Sequence, residues 1–142
     1  MTTFPPSHAA LATPEAISEV ADCFASIAES LHHTLRSLSD QVNVSSSEKL
    51  YALITEEYGL RTRLGILRGD AKNRVVKGVE FSQADLVSLL RLTSAFIRQS
   101  KSVDEIAFVV NSTSVLCVSV FPGKQQTIDF LVGRLKFEIG AT

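Results

Sequence analysis

The densest chemistry in this sequence is cationic. Arg61, Arg63, Arg68, Lys72, Arg74 and Lys77 lie between residues 61 and 77, where Asp70 is the one acid, a local balance of +5. Residues 1–60 carry Arg36 and Lys49 against eight acids, a balance of -6, and residues 78–142 carry six charges of each sign, so the three blocks sum to the chain's net charge of -1. On a helix Arg61 and Arg68 share a face, which Lys72 extends if the helix runs past Gly69. Such a stripe can bind phosphates, and so nucleic acid (RNA or DNA), without reading sequence. No aromatic residue is interleaved with the belt, so it does not resemble a base-stacking platform. The competing reading is a solvated face, partly paired with Glu57, four residues before Arg61, and with an acidic first helix. Acidic and basic blocks can also attract each other between copies and favour a homodimer.

A second pattern is Glu29-Ser30-Leu31-His32. Glu-x-x-His spacing sets a carboxylate and an imidazole one helical turn apart, as in di-iron bundles. Those sites need a second such motif and two more inward glutamates, and this chain has only three histidines. A metal-binding bundle or enzyme centred on Glu29 and His32 is therefore an alternative with one motif behind it, and no metal or cofactor is expected. Glu56 and Glu57 are adjacent and point apart on a helix, so they are not a paired catalytic site. No serine stands in a Gly-x-Ser-x-Gly setting, and there is no Gly-rich phosphate loop or Cys-x-x-Cys. The residues point to no catalytic activity. Cys23 and Cys117 sit in apolar surroundings, as free buried thiols do in a reducing compartment.

The elements that position these groups read mainly as amphipathic helices. Residues 1–12, with Pro5 and Pro6, are expected to form a flexible arm. Thr13 can cap a first helix that opens on Pro14 and Glu15. Ile17, Phe24, Leu31 and Leu38 then recur every seven residues, with Ala21, Ala28 and Leu35 at the other seam position, an unbroken heptad pattern. That seam needs a partner, in this chain or in a second copy. Ser45 and Glu48 have capping-box spacing before a second helix whose stripe is Leu50, Leu53, Leu60, Leu64 and Leu67, with Gly69 as its stop. Ser82 and Asp85 open a third helix, with Phe81 and Leu86 at staple spacing. Leu86, Leu89, Leu90, Thr93 and Phe96 form its inward face, and it ends near Ser100. Ser102 and Glu105 have the spacing of another capping box. Residues 106–121 are Val-rich and read either as a buried helix or as a β-hairpin turning at Asn111–Ser114. Phe121-Pro122-Gly123 is a turn. A last helix spans roughly 125–138, with Ile128, Leu131, Leu135 and Ile139 inward.

The chain of 142 residues, 45% hydrophobic and 20% charged with 7 Gly and 4 Pro, has the size and composition of one globular domain. The expected fold is all-α: four to five amphipathic helices with short loops over residues 13–142, with α+β as the alternative if 106–121 is a hairpin. No secretory leader is recognised at the N-terminus. No apolar run approaches the roughly 20 residues of a membrane span, so a cytoplasmic protein with no membrane partner is expected. The function these features favour is a non-catalytic protein-binding module that self-associates through the coiled-coil-like seam Ile17, Phe24, Leu31, Leu35 and Leu38, as a homodimer or larger assembly. Adaptors, chaperones, neutralising proteins and structural subunits are of this type.

Overall fold

The computed structural model describes residues 8–40 and 44–140, apart from the side chains of residues 44–46. Five helices form: α1 (Pro14–Ser39), α2 (Val44–Gly69), α3 (Gln83–Gln99), α4 (Val103–Val120) and α5 (Gln125–Ile139), with a 3-10 turn at Ala71–Asn73. No strand forms among the described residues, and the protein is an all-α bundle.

Local chemistry sets the helix starts. The Thr13 hydroxyl accepts from the Ala16 N–H at 3.0 Å, Ser82 from Asp85 at 3.0 Å and Ser102 from Glu105 at 3.2 Å. Each such cap contributes about 1 kcal/mol by satisfying a backbone donor that the helix leaves free. The Glu105 carboxylate also accepts from the Lys101 N–H. The Ser45 side of the expected Ser45–Glu48 box lies outside the described residues. Gly140 ends α5 in the left-handed conformation, φ 75°, where an L side chain is disfavoured.

The helices close in the neighbour order α1, α2, α4, α5, α3, with α3 returning to α1. Helix α1 therefore has α2 on one side and α3 on the other. Its heptad residues Ile17, Phe24, Leu31, Leu35 and Leu38 are all buried, and so are Val20, Ile27, Ser30 and Thr34. This corrects the assignment of that seam to self-association. The apolar residues of α1 wrap most of the helix because it serves two intramolecular partners, and none of the five is left for a second copy.

One open alternative is settled and two further expectations change. Residues 106–121 do not form a hairpin, because α4 runs through them from the Ser102 cap. Burial among α2, α5 and the other helices overrides the weak helix propensity of its valines. Residues 8–12 are not part of a free arm. The Ala10 N–H donates to the Phe81 carbonyl, the Gln83 N–H to that of His8 and the Val76 N–H to that of Leu11, which buries Ala10 and Leu11. Leu11 is held at φ 62°, a strain of about 1–3 kcal/mol that its packing and these bonds over-determine. Finally, α4 is, by length and composition, apolar enough to cross a membrane, with a mean hydropathy of 1.5 over 18 residues, of which 61% are buried in the bundle. Interleaved Ser, Thr and Asn hide this run from a search for unbroken apolar sequence.

Two truncations of the same residue type separate core from surface. Phe24→Ala, at a fully buried position, is expected to lower the unfolding free energy by about 3–5 kcal/mol in a urea titration. Phe137→Ala, at a position exposed in the single chain, is expected to change it by no more than about 0.5 kcal/mol when both proteins are measured as dissociated monomers.

Candidate functional site

Helices α1 and α2 run antiparallel, as three contacts that step in opposite directions along them show. Asp22 meets Arg68, with the Arg68 Nε and Nη2 groups donating at 3.0 and 2.7 Å. One turn pair further on, Arg61 Nη2 donates to Glu29 at 3.3 Å. His32 Nδ1 then lies 3.3 Å from the Glu57 carboxylate. Arg61 is also the partner of Glu57 within α2, its Nε donating at 2.8 Å. The hydrogen bond with Glu57 is the main reason the guanidinium is held above its ordinary pKa; desolvation opposes this, and the Glu29 bond adds to it.

Half of the basic belt has carboxylate partners. Arg61 and Arg68 carry carboxylate partners on α1, and Arg74 lies 3.2 Å from Asp70 and 4.8 Å over the Phe121 ring. Arg63 folds back along α2, with Nη1 3.0 Å from where a Cβ on Gly59 would stand. Lys72 and Lys77 are exposed. Because α2 ends at Gly69, Lys72 sits in the 3-10 turn and does not prolong the Arg61 and Arg68 face.

Glu29 and His32 do share a site, but as members of an ion-pair network. Glu29 is engaged by Arg61 and His32 by Glu57. Among the described residues no group of three or more His, Cys, Asp or Glu is placed to hold a metal ion. Glu57 pairs with Arg61 as its spacing implies, but its burial was not read from the sequence. Its side chain is only 10% exposed. It occupies the core-facing position between Leu53 and Leu60 in a ladder that steps by three and four from Leu50 to Leu67. The signal was present: seven residues separate Leu53 and Leu60, and the intervening core position holds an acid.

The network forms one end of a cleft of about 570 Å³ between α1 and α2. Leu35, Leu50, Ile54 and Tyr58 line its body, and Arg36 and Ser39 its other end. Cys23 and Cys117 are free and buried. Burial pushes the Cys117 thiol up to about 12, against a smaller opposing effect of Arg63, and burial also raises Cys23.

A second feature lies on α5. Ile128, Leu131, Val132 and Leu135 face the bundle. Phe130 and Phe137, two turns apart, face away from it at 67% and 82% exposure. Gly133 stands between them, with no atom within 4 Å of the position a Cβ would take. On α4, Phe108 is 70% exposed and Val115 and Val118 are partly open. Val115 and Phe130 are each five residues from the helix ends at Val120 and Gln125, and Phe108 and Phe137 are each twelve. They therefore stand at matching levels of the α4–α5 hairpin.

Comparison with protein-family models, curated proteins and solved structures gave no match to this chain.

The Cys117 environment has a measurable consequence. Iodoacetamide at pH 8.5 is expected to leave Cys117 unmodified in the native protein and to alkylate it in denaturant, as mass spectrometry would show. The folded state holds this proton more tightly than the unfolded chain, whose thiol has the ordinary value of 9.0. Stability from this group is thus complete below pH 9 and is lost as pH rises toward 12. Urea midpoints measured across that window should fall in the wild type and fall less in Cys117→Ala.

Proposed function

We propose that this chain is a non-catalytic helical interaction module that associates with a second copy of itself through the outer face of α5. The observation that carries this reading is the Phe130–Gly133–Phe137 face. Two exposed aromatic rings on one helix concentrate apolar surface at a single place. The glycine between them has no packing reason inside the chain, since nothing approaches it. In a helix interior it costs up to about 1 kcal/mol relative to Ala. Close approach of another backbone is a physical reason to keep it.

A two-fold interface is self-complementary: where residue i meets residue j, j also meets i. A helix that presents both a projecting ring and a notch, one turn apart, meets that condition with its own copy. Phe130 of one chain can lie against Gly133 of the other, and the reverse contact follows by symmetry. Arg134 is paired with Glu138 beside this face, so two copies meet without a net like charge between them. Phe108 and Val115 are exposed on the neighbouring helix α4.

Sedimentation equilibrium tests the reading. The wild type is expected to have the mass of a dimer or larger assembly at both low and high salt, because apolar contact is not screened. The double variant Phe130→Asp, Phe137→Asp is expected to be monomeric with an unchanged circular dichroism spectrum, both rings being exposed in the single chain. A wild type that stays monomeric as concentration rises, or a variant that keeps the wild-type mass, overturns it.

A further inference from the structure

The α1–α2 cleft is separate from the α5 face and has chemistry of its own. We propose that it binds a small amphiphilic cation, an organic ammonium group carried on a hydrocarbon body.

The cleft has the size for such a ligand. About 570 Å³ falls within the range of small-molecule sites, roughly 300–1,000 Å³. The body of the cleft is apolar, walled by Leu35, Leu50 and Ile54. The charges at its two ends are unequal in kind. At one end two carboxylates, Glu29 and Glu57, share one guanidinium, Arg61. That end thus holds two carboxylates to one guanidinium, with the His32 imidazole 3.3 Å from Glu57. At the other end Arg36 lines the cleft. Arg36 is seven residues from Glu29, about 10 Å along the helix axis. An elongated ligand thus meets an end with two carboxylates, an apolar middle and an end with Arg36. A cationic head is favoured at the end with two carboxylates, and its hydrocarbon body then lies along the apolar middle.

The position of Glu57 points the same way. A leucine there would complete the apolar ladder of α2, at no electrostatic cost. A nearly buried carboxylate instead carries a desolvation penalty, which Arg61 offsets. Arg61 is in turn drawn toward Glu29, whose side chain is 64% exposed and faces incoming solute. Tyr58, the residue after Glu57, lines the body of the cleft and is largely exposed. An aromatic face beside a carboxylate is a favourable environment for an ammonium group, through cation–π attraction as well as charge.

Titration calorimetry with n-octylammonium chloride, sodium octanoate and 1-octanol, each kept below its aggregation concentration, tests the proposal. The three probes share one chain length and differ in head charge. The expected result is saturable binding of octylammonium, with octanoate and octanol both binding more weakly. Glu29→Gln is expected to weaken octylammonium by about fivefold or more, which corresponds to about 1 kcal/mol for one charge contact. Glu29 is exposed, so that variant keeps the fold whatever becomes of Glu57 variants. Ile54→Trp, which fills the body of the cleft, should abolish binding. Octanoate binding as tightly as octylammonium, octylammonium binding undiminished in Glu29→Gln, or no heat of binding from octylammonium overturns the proposal.

Discussion

The rest of the bundle depends on the burial of α1 from two sides. A helix with one apolar stripe can rest on a single neighbour and leave its other face in water. Helix α1 has apolar residues at Ile17, Ala21, Phe24, Ala28, Leu31 and Leu35 and a second set at Val20, Ile27 and Cys23. One neighbour cannot cover both sets. With α2 on one side and α3 on the other, α4 and α5 complete the enclosure. The alanines on the seam let a partner helix approach closely.

The two sides of α1 are held differently. Against α2 the pairing is ionic at the rim, with Asp22, Glu29 and His32 matched to Arg68, Arg61 and Glu57. Against α3 it is made of hydroxyls. Arg98 Nε donates to Ser30 Oγ, Ser30 and Ser94 share a hydrogen bond of 2.6 Å, Ser94 Oγ donates to the Ser26 carbonyl, and Thr34 Oγ1 donates to the Ile97 carbonyl. Short side chains let these helices pack closely while satisfying one another's polar atoms, which a buried interface requires. The exposed ion pairs contribute little stability each, about 0–1 kcal/mol. Their greater effect is on register: sliding α2 along α1 by one turn would take Arg61 and Arg68 away from their α1 carboxylates together.

The elements were legible in the sequence wherever a local rule determined them. The caps at Thr13, Ser82 and Ser102, the heptad of α1 and the leucine ladder of α2 each follow from interactions within a few residues. What could not be read there is pairing between distant segments. The heptad of α1 signals a need for a partner but not its address, because an intramolecular helix and a second copy bury the same leucines. The docking of residues 8–11 depends on carbonyls and amides of residues 76–83, and backbone groups carry no sequence signature. Residues 106–121 were ambiguous because valine favours strands intrinsically and is accepted in helices when burial is complete.

The cationic belt shows the same limit, and its fate in the fold bears on function. Read along the chain, six basic residues beside one acid look like a surface for polyanions. Folded antiparallel, the basic end of α2 lies along the acidic α1, and Arg61 and Arg68 pair across with Glu29 and Asp22. A charge asymmetry between two segments close in sequence is thus as well explained by a hairpin that neutralises itself as by an external anion. The features that folding does not absorb are different ones. They are a carboxylate set in an apolar ladder at the end of a cleft, and two phenylalanines with a glycine between them on the outward face of α5. The α5 face takes no part in burying α1 or pairing the belt, Glu57 pairs with Arg61 but stands where a leucine would continue the ladder, and each carries a local cost in stability or solubility. The fold therefore does not account for them, which is why the functional reading rests on these sites and not on the heptad seam or the basic belt.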